Sequence, residues 1–150
     1  MMQEELEARI WQRVFQTPQE GLAQEQLTQW IADSLGAERS YRVLARRTGR
    51  RSFSGMAEAE RAQARELSAL LFLLYGVRGQ VLGGAAEDRR STEAAIRSRY
   101  RAETAAQREF SESKQRWAEH AEVLERMERR AARHRALLCR EAERLAGMGR

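Results

Sequence analysis

A chain of 150 residues and 17.3 kDa has room for one compact domain. Hydrophobic residues make up 42% of it and charged residues 33%, with ten glycines and one proline, a helix-forming composition that excludes collagen-like, low-complexity and all-β chains. The net charge is +5 and almost wholly arginine, since Lys114 is the only lysine.

In chain order, residues 3–16 read as a short amphipathic helix with Leu6, Ile10, Val14 and Trp11 on one side, ended by Thr17-Pro18-Gln19-Glu20-Gly21. A helix over about 22–47 carries Leu27, Ile31, Ser34/Leu35, Glu38, Tyr41 and Ala45 on its inward stripe. Thr48 to Gly55 reads as a turn, and a helix over 56–75 follows, with Met56, Glu60, Gln63, Leu67, Leu70/Leu71 and Leu74 inward. Four glycines in the nine residues from Gly76 to Gly84 mark the longest connection in the chain. From Ser91 to Leu145 there is neither glycine nor proline. A single helix of that length would be about 80 Å long, so a break is expected near Ser111–Gln115. The stripe before it is Ile96, Arg99/Tyr100, Glu103, Ala106 and Phe110. The stripe after it is Trp117, Ala121, Leu124, Met127/Glu128, Ala131, His134, Leu138, Ala142 and Leu145. Two hairpins joined by a long crossover form an all-α four-helix bundle over 22–150, preceded by a short helix and linker over 1–21, and no segment alternates with the period of a strand.

Several classes of chemistry are absent. Cys139 stands alone, so there is no disulfide within the chain and no Cys-rich metal or redox site; it is expected to be a buried, inert thiol. No phosphate-binding loop, nucleophile elbow or His-Glu-x-x-His motif occurs. No apolar run approaches the roughly 18 residues of a membrane span and no signal peptide is evident, so a soluble, cytoplasmic protein without a membrane partner is expected. The arginines are interleaved with glutamate, as in Glu125/Arg129 and Glu112/Arg116, which favours solvated helix faces over a nucleic-acid interface. Two dense groups, Arg46-Arg47 with Arg50-Arg51 and Arg129-Arg130 with Arg133, retain the capacity to bind an anion.

The informative residues are polar ones on apolar stripes. Glu38, Glu60, Gln63, Glu103 and His134 all fall inward, and a buried carboxylate without a partner loses its hydration. Glu38 and Glu60 lie at similar distances from the first hairpin tip, so a shared polar layer is expected. His120 lies about 21 Å from His134 along the helix and reads as a surface or bundle-end residue. Tyr41 and Tyr100 are each three residues from a candidate glutamate, and are either core tyrosines or hydrogen-bond donors to those carboxylates. Trp11, Trp30, Trp117, Phe72, Phe110, Met56 and Met127 read as packing.

With Glu38-Arg-Ser-Tyr41, Met56-Ala-Glu-Ala-Glu60-Arg-Ala-Gln63, Arg99-Tyr100-Arg-Ala-Glu103 and Ala131-Ala-Arg-His134 in this order, the chain over 22–145 resembles a ferritin-like, rubrerythrin-type domain. That family holds two metals with a lone Glu on each of two helices and a Glu-x-x-His on each of the others. The resemblance implies iron or manganese ligands at Glu38, Glu60, Glu103 and His134, with Gln63 and Glu128 as weaker candidates. It also implies descent from oxidoreductases acting on oxygen or peroxide. The pattern departs at Gln63, where the family has His, and at Ala131, where it has Glu, so the site is degenerate. With no rubredoxin-type module in the chain, the resemblance implies an external electron donor for any redox activity; a homo-oligomer is the other expected partner. The rival expectation is a metal-free interaction or structural bundle whose layer is neutralised by Arg42, four residues after Glu38, and Arg99, four before Glu103.

Overall fold

A computed structural model of the chain describes residues 3–5, 22–78 and 89–148. Among them there are four long helices and no strand: α1 (Gln24–Thr48), α2 (Arg51–Tyr75), α3 (Thr92–Arg116) and α4 (Ala121–Met148), with one 3-10 turn, Ala118–His120, before α4. Residues 3–5 are helical and exposed. The rest of the expected N-terminal helix and linker, with Trp11, lies outside the described residues, as does most of the glycine-rich connection.

The first hairpin is tighter than the sequence suggests. Gly49 takes the left-handed conformation, φ 67°, and closes α1 by donating its N–H to Ala45 O at 2.8 Å. Arg50 is extended, and α2 starts at once at Arg51. Gly55 therefore lies inside α2 rather than in a turn. The turn is two residues long because one left-handed glycine suffices to reverse the chain. Gly76 ends α2 in the same way, φ 68°, with its N–H on Phe72 O. Ser91 caps α3, accepting the Ala94 N–H at 3.1 Å.

The expected break at Ser111–Gln115 is found a few residues later. Ser113 is buried and its carbonyl accepts the Trp117 N–H, so α3 runs through the serines. The helix stops where the buried Trp117 turns in against Trp30, with ring centroids 6.1 Å apart.

Side-chain pairs fix the directions. Ser34 meets Gln63 and Arg42 meets Glu58, so α1 and α2 are antiparallel. Lys114 on α3 meets Glu128 on α4 and Gln107 meets Arg135, giving a second antiparallel hairpin. Between hairpins, Trp30 and Tyr41 on α1 reach Glu109 and Glu103 on α3, while Glu66 and Glu60 on α2 reach Arg126 and His134 on α4. The helices pack closely within each hairpin and more loosely between them.

Two apolar clusters fill the bundle. One gathers Trp30, Leu27, Leu67, Phe110, Trp117 and Leu124 at the end where the Tyr75 hydroxyl donates to Leu22 O. The other gathers Tyr41, Leu44, Phe53, Met56, Ile96 and Leu138 at the opposite end. The stripes differ from expectation in four places. Phe72 and Leu74 are exposed, with the Arg78 guanidinium 4.6 Å over the Phe72 ring. Cys139 is exposed, because Leu138 takes the inward position and the next residue turns about 100° away. On the last turns of α4 it is Glu141, not Ala142, that is buried. No helix among the described residues is long and apolar enough to cross a membrane.

Candidate functional site

Between the apolar clusters lies a polar layer. Its members are placed by helical spacing: Tyr41 one turn after Ala37 on α1, Glu60 one turn after Met56 on α2, Glu103 two turns after Ile96 on α3, and His134 one turn after Ala131 on α4. Glu60, Glu103 and His134 are all buried, and one ligand atom from each lies within 4.8 Å of the others. His134 Nδ1 is 3.2 Å from Glu60 Oε1 and 3.4 Å from Glu103 Oε1. This buried group has the donor chemistry and spacing to hold one metal ion.

Glu103 is the most heavily contacted member. Its Oε1 accepts the Tyr41 hydroxyl at 2.7 Å and Arg99 Nη2 at 2.9 Å. Arg99 also lies 5.0 Å over the Tyr41 ring, which stands edge-on to His134. The electrostatics follow. Burial would raise the Glu103 carboxyl, but His134, Arg99 and Tyr41 together hold it below the usual carboxylate range. Burial pushes Glu60 up, and the neighbouring Glu103 charge works in the same direction. Burial would lower His134, yet its hydrogen bonds to Glu103 and Glu60 outweigh that and raise it. Tyr41 is pushed far up by burial and by Glu103, so it is a phenol that only donates. With His134 protonated, two carboxylates face two cations and the layer is neutral.

The other candidates lie elsewhere. Glu38 sits level with Glu60 but is not one of the three. Its Oε2 is 3.6 Å from Arg42 Nη2, and Arg42 hydrogen-bonds Glu58 at 3.0 Å. The Gln63 amide is committed, donating to Ser34 Oγ at 2.9 Å and accepting from Arg130. Glu128 pairs with Lys114. Tyr100 accepts from Arg135 at 3.3 Å and does not touch Glu103. His120 lies in the 3-10 turn at the bundle end.

A groove of about 550 Å³ between α1 and α3 leads to the layer, with Glu60, Glu103 and Arg99 on its walls. Small residues keep it open: Ala32, Gly36 and Ser40 on α1, and Ala102 and Ala106 on α3. Asp33 and Glu109 stand along it, so it is acidic for much of its length.

One buried carboxylate with an ion pair escapes the sequence reading. Glu141, near the end of α4, receives Arg50 Nε at 3.1 Å and Ser52 Oγ at 2.7 Å, tying α4 to the first hairpin turn. Burial would raise its carboxyl, but Arg50 and Ser52 pull it below its ordinary value. The signal was present: Glu141 is three residues after Leu138 and seven after His134, on the same stripe.

The chain matches no family model, no curated protein and no solved structure.

Proposed function

We propose that the chain is a ferritin-like bundle of the rubrerythrin type that binds one divalent transition-metal ion, iron or manganese, between Glu60, Glu103 and His134. The observation that carries this is the convergence of two carboxylates and one imidazole from three helices within 4.8 Å, at the end of an open acidic groove. The helix arrangement supports the ferritin-like reading. Neighbours are antiparallel, and α2 and α3 face each other across the bundle running in the same direction. Tyr75 is beside Leu22 and Arg90 beside Arg47, so the chain between them joins opposite ends, as a long crossover does.

One ion fits this donor set better than two. Gln63 is bonded to Ser34 and Arg130, Ala131 offers no donor, and Glu38 is drawn to Arg42. To hold the ion, His134 would give up a ring proton, while Arg99 and Tyr41 orient the Glu103 carboxylate through Oε1, the oxygen nearest His134. When bound, iron or manganese supplies one-electron chemistry toward oxygen or peroxide, and the reducing electrons then come from an external donor.

A specific observation favours a second reading, a metal-free helical interaction module. The Tyr41, Arg99 and His134 contacts already satisfy Glu103, and the layer is neutral once His134 is protonated.

The deciding experiment is metal content per chain after expression with iron or manganese supplied, beside Glu60→Gln and His134→Gln. The metal reading expects close to one equivalent in the parent and its loss in both variants. Less than about a tenth of an equivalent in the parent establishes the metal-free module instead. As a second arm, Gln63→His with Ala131→Glu should raise the stoichiometry from one toward two.

A further inference from the structure

On the opposite face of the bundle, the groove between α2 and α4 has the reverse charge. We propose that it binds a small oxyanion of the phosphate class; the groove shares one wall residue, His134, with the buried layer, and its anion-binding groups are the arginines.

Its volume is about 580 Å³, and five arginines line it: Arg51 on α2 and Arg126, Arg129, Arg130 and Arg133 on α4. Among the described residues no carboxylate lines it. Arg51, from the first dense arginine group, is thus brought into one concave site with the second group, Arg129, Arg130 and Arg133. Arg126 is paired with Glu66 and Arg129 with Glu125, both at 34% exposure or more on the acidic partner. Arg130 spends its guanidinium on the neutral carbonyl oxygen of Gln63, so its charge is left uncompensated. Arg51 and Arg133 have no partner among the described residues.

This placement works against the stability of the bare protein. Arg126, Arg130 and Arg133 recur every three or four residues on one face of α4, where like charges repel. Arg51 occupies the first turn of α2, which has no acidic residue and carries the positive end of the helix dipole. An anion seated in the groove relieves both. Guanidinium groups present paired N–H donors that match phosphate oxygens. Gly55 on the α2 wall leaves open space where a side chain would stand, with nothing within 4 Å of its missing Cβ. The groove is larger than inorganic phosphate needs, so the class includes phosphates that carry an organic group.

The test is isothermal titration of the full chain with inorganic phosphate and with pyrophosphate, at low ionic strength with EDTA present, so that metal at the buried layer plays no part. One anion per chain is expected, with pyrophosphate the tighter. Arg51→Ala with Arg133→Ala should weaken binding about tenfold or more, because each removes a charge-assisted contact. Arg101→Ala, an exposed arginine on α3, should leave it unchanged. All of these side chains are exposed, and a circular-dichroism melt checks that the variants fold. Binding of neither anion overturns the proposal, as does equal weakening by Arg101→Ala, which would mark diffuse charge. Binding of a DNA duplex alone, with no phosphate or pyrophosphate site, also overturns it and makes the groove a nucleic-acid surface.

Discussion

The Trp30 end of the bundle and the Glu60–Glu103–His134 layer are built on the same helices, about 16 Å apart along α1, and are held by opposite means. At the Trp30 end, Phe110 and Trp117 meet the indole edge-on at centroid distances of 5.4 and 6.1 Å, and the Trp30 Nε1–H finds Glu109 at 2.9 Å. Stability there comes from apolar area removed from water and from rings that interlock. In the layer, buried charges lose hydration and recover it only through one another, so the net stabilisation is small while each partner is indispensable. Truncation therefore costs much in both regions, but only in the layer should removing two partners cost little more than removing one.

The largest expected effect is at the apolar end. Trp30→Ala removes an indole of 2% exposure from the centre of the cluster and should lower unfolding free energy by about 3–5 kcal/mol, measured by urea denaturation. A loss below about 1 kcal/mol would place the centre of the core elsewhere.

Next comes the layer. Arg99→Met leaves Glu103 and Glu60 facing each other with His134 as the one remaining cation, and should cost about 3 kcal/mol at neutral pH. Glu103→Leu alone strands Arg99, whose Nε has no partner, and the Tyr41 hydroxyl. The pair Arg99→Met with Glu103→Leu removes both charges and should cost well under the sum of the singles in a double-mutant cycle. Simple additivity would mean that the layer is not one electrostatic unit, and the contrast with the apolar end would fail.

This contrast also explains what was legible in the sequence. Apolar periodicity reveals which face turns inward, so the four long helices, the core positions of Leu27, Leu67, Leu124 and Leu138, and the inward turn of Glu60, Glu103 and His134 were readable from spacing alone. Periodicity does not resolve rotation finer than about one residue. Ala37 is buried and Glu38 turns toward Arg42, and Leu138 displaces Cys139 to the surface. Nor does it resolve turns: Gly49 reverses the chain in two residues, and Gly55 lies inside α2, on the wall of the α2/α4 groove. Contacts between helices remote in sequence, such as Tyr41 with Glu103 and Arg51 beside Arg133, depend on the register between hairpins, which no local pattern encodes.

The smallest effect is at the opposite end of the bundle, where the Arg50–Glu141 pair places buried-layer chemistry at the rim. Glu141 is 7% exposed while Arg50 is 40% exposed, so solvent screens the pair and Glu141→Gln should cost only about 1 kcal/mol at neutral pH. Because Arg50 and Ser52 hold the folded carboxyl below its ordinary value, the pair's contribution is fully present above the unfolded pKa, roughly 4.3, and is lost as pH falls through the lower, folded value. The stability difference between parent and Glu141→Gln should thus be constant from neutral pH down to about 5 and should close below about 4. In the interior layer, by contrast, the raised His134 contributes fully below its unfolded pKa and loses that contribution as pH rises through its folded one. Denaturation curves of the metal-free protein across pH separate Glu141 from His134 by sign. The rim pair weakens toward acid and the His134 contribution toward base; Glu103, also held low, adds an acid-side loss of its own, and Glu141→Gln should abolish only the part that belongs to the rim pair. If the difference between variant and parent does not shrink as pH falls from about 5 to below about 4, Glu141 is not tied to Arg50 in solution, and the rim is held by apolar packing like the Trp30 end.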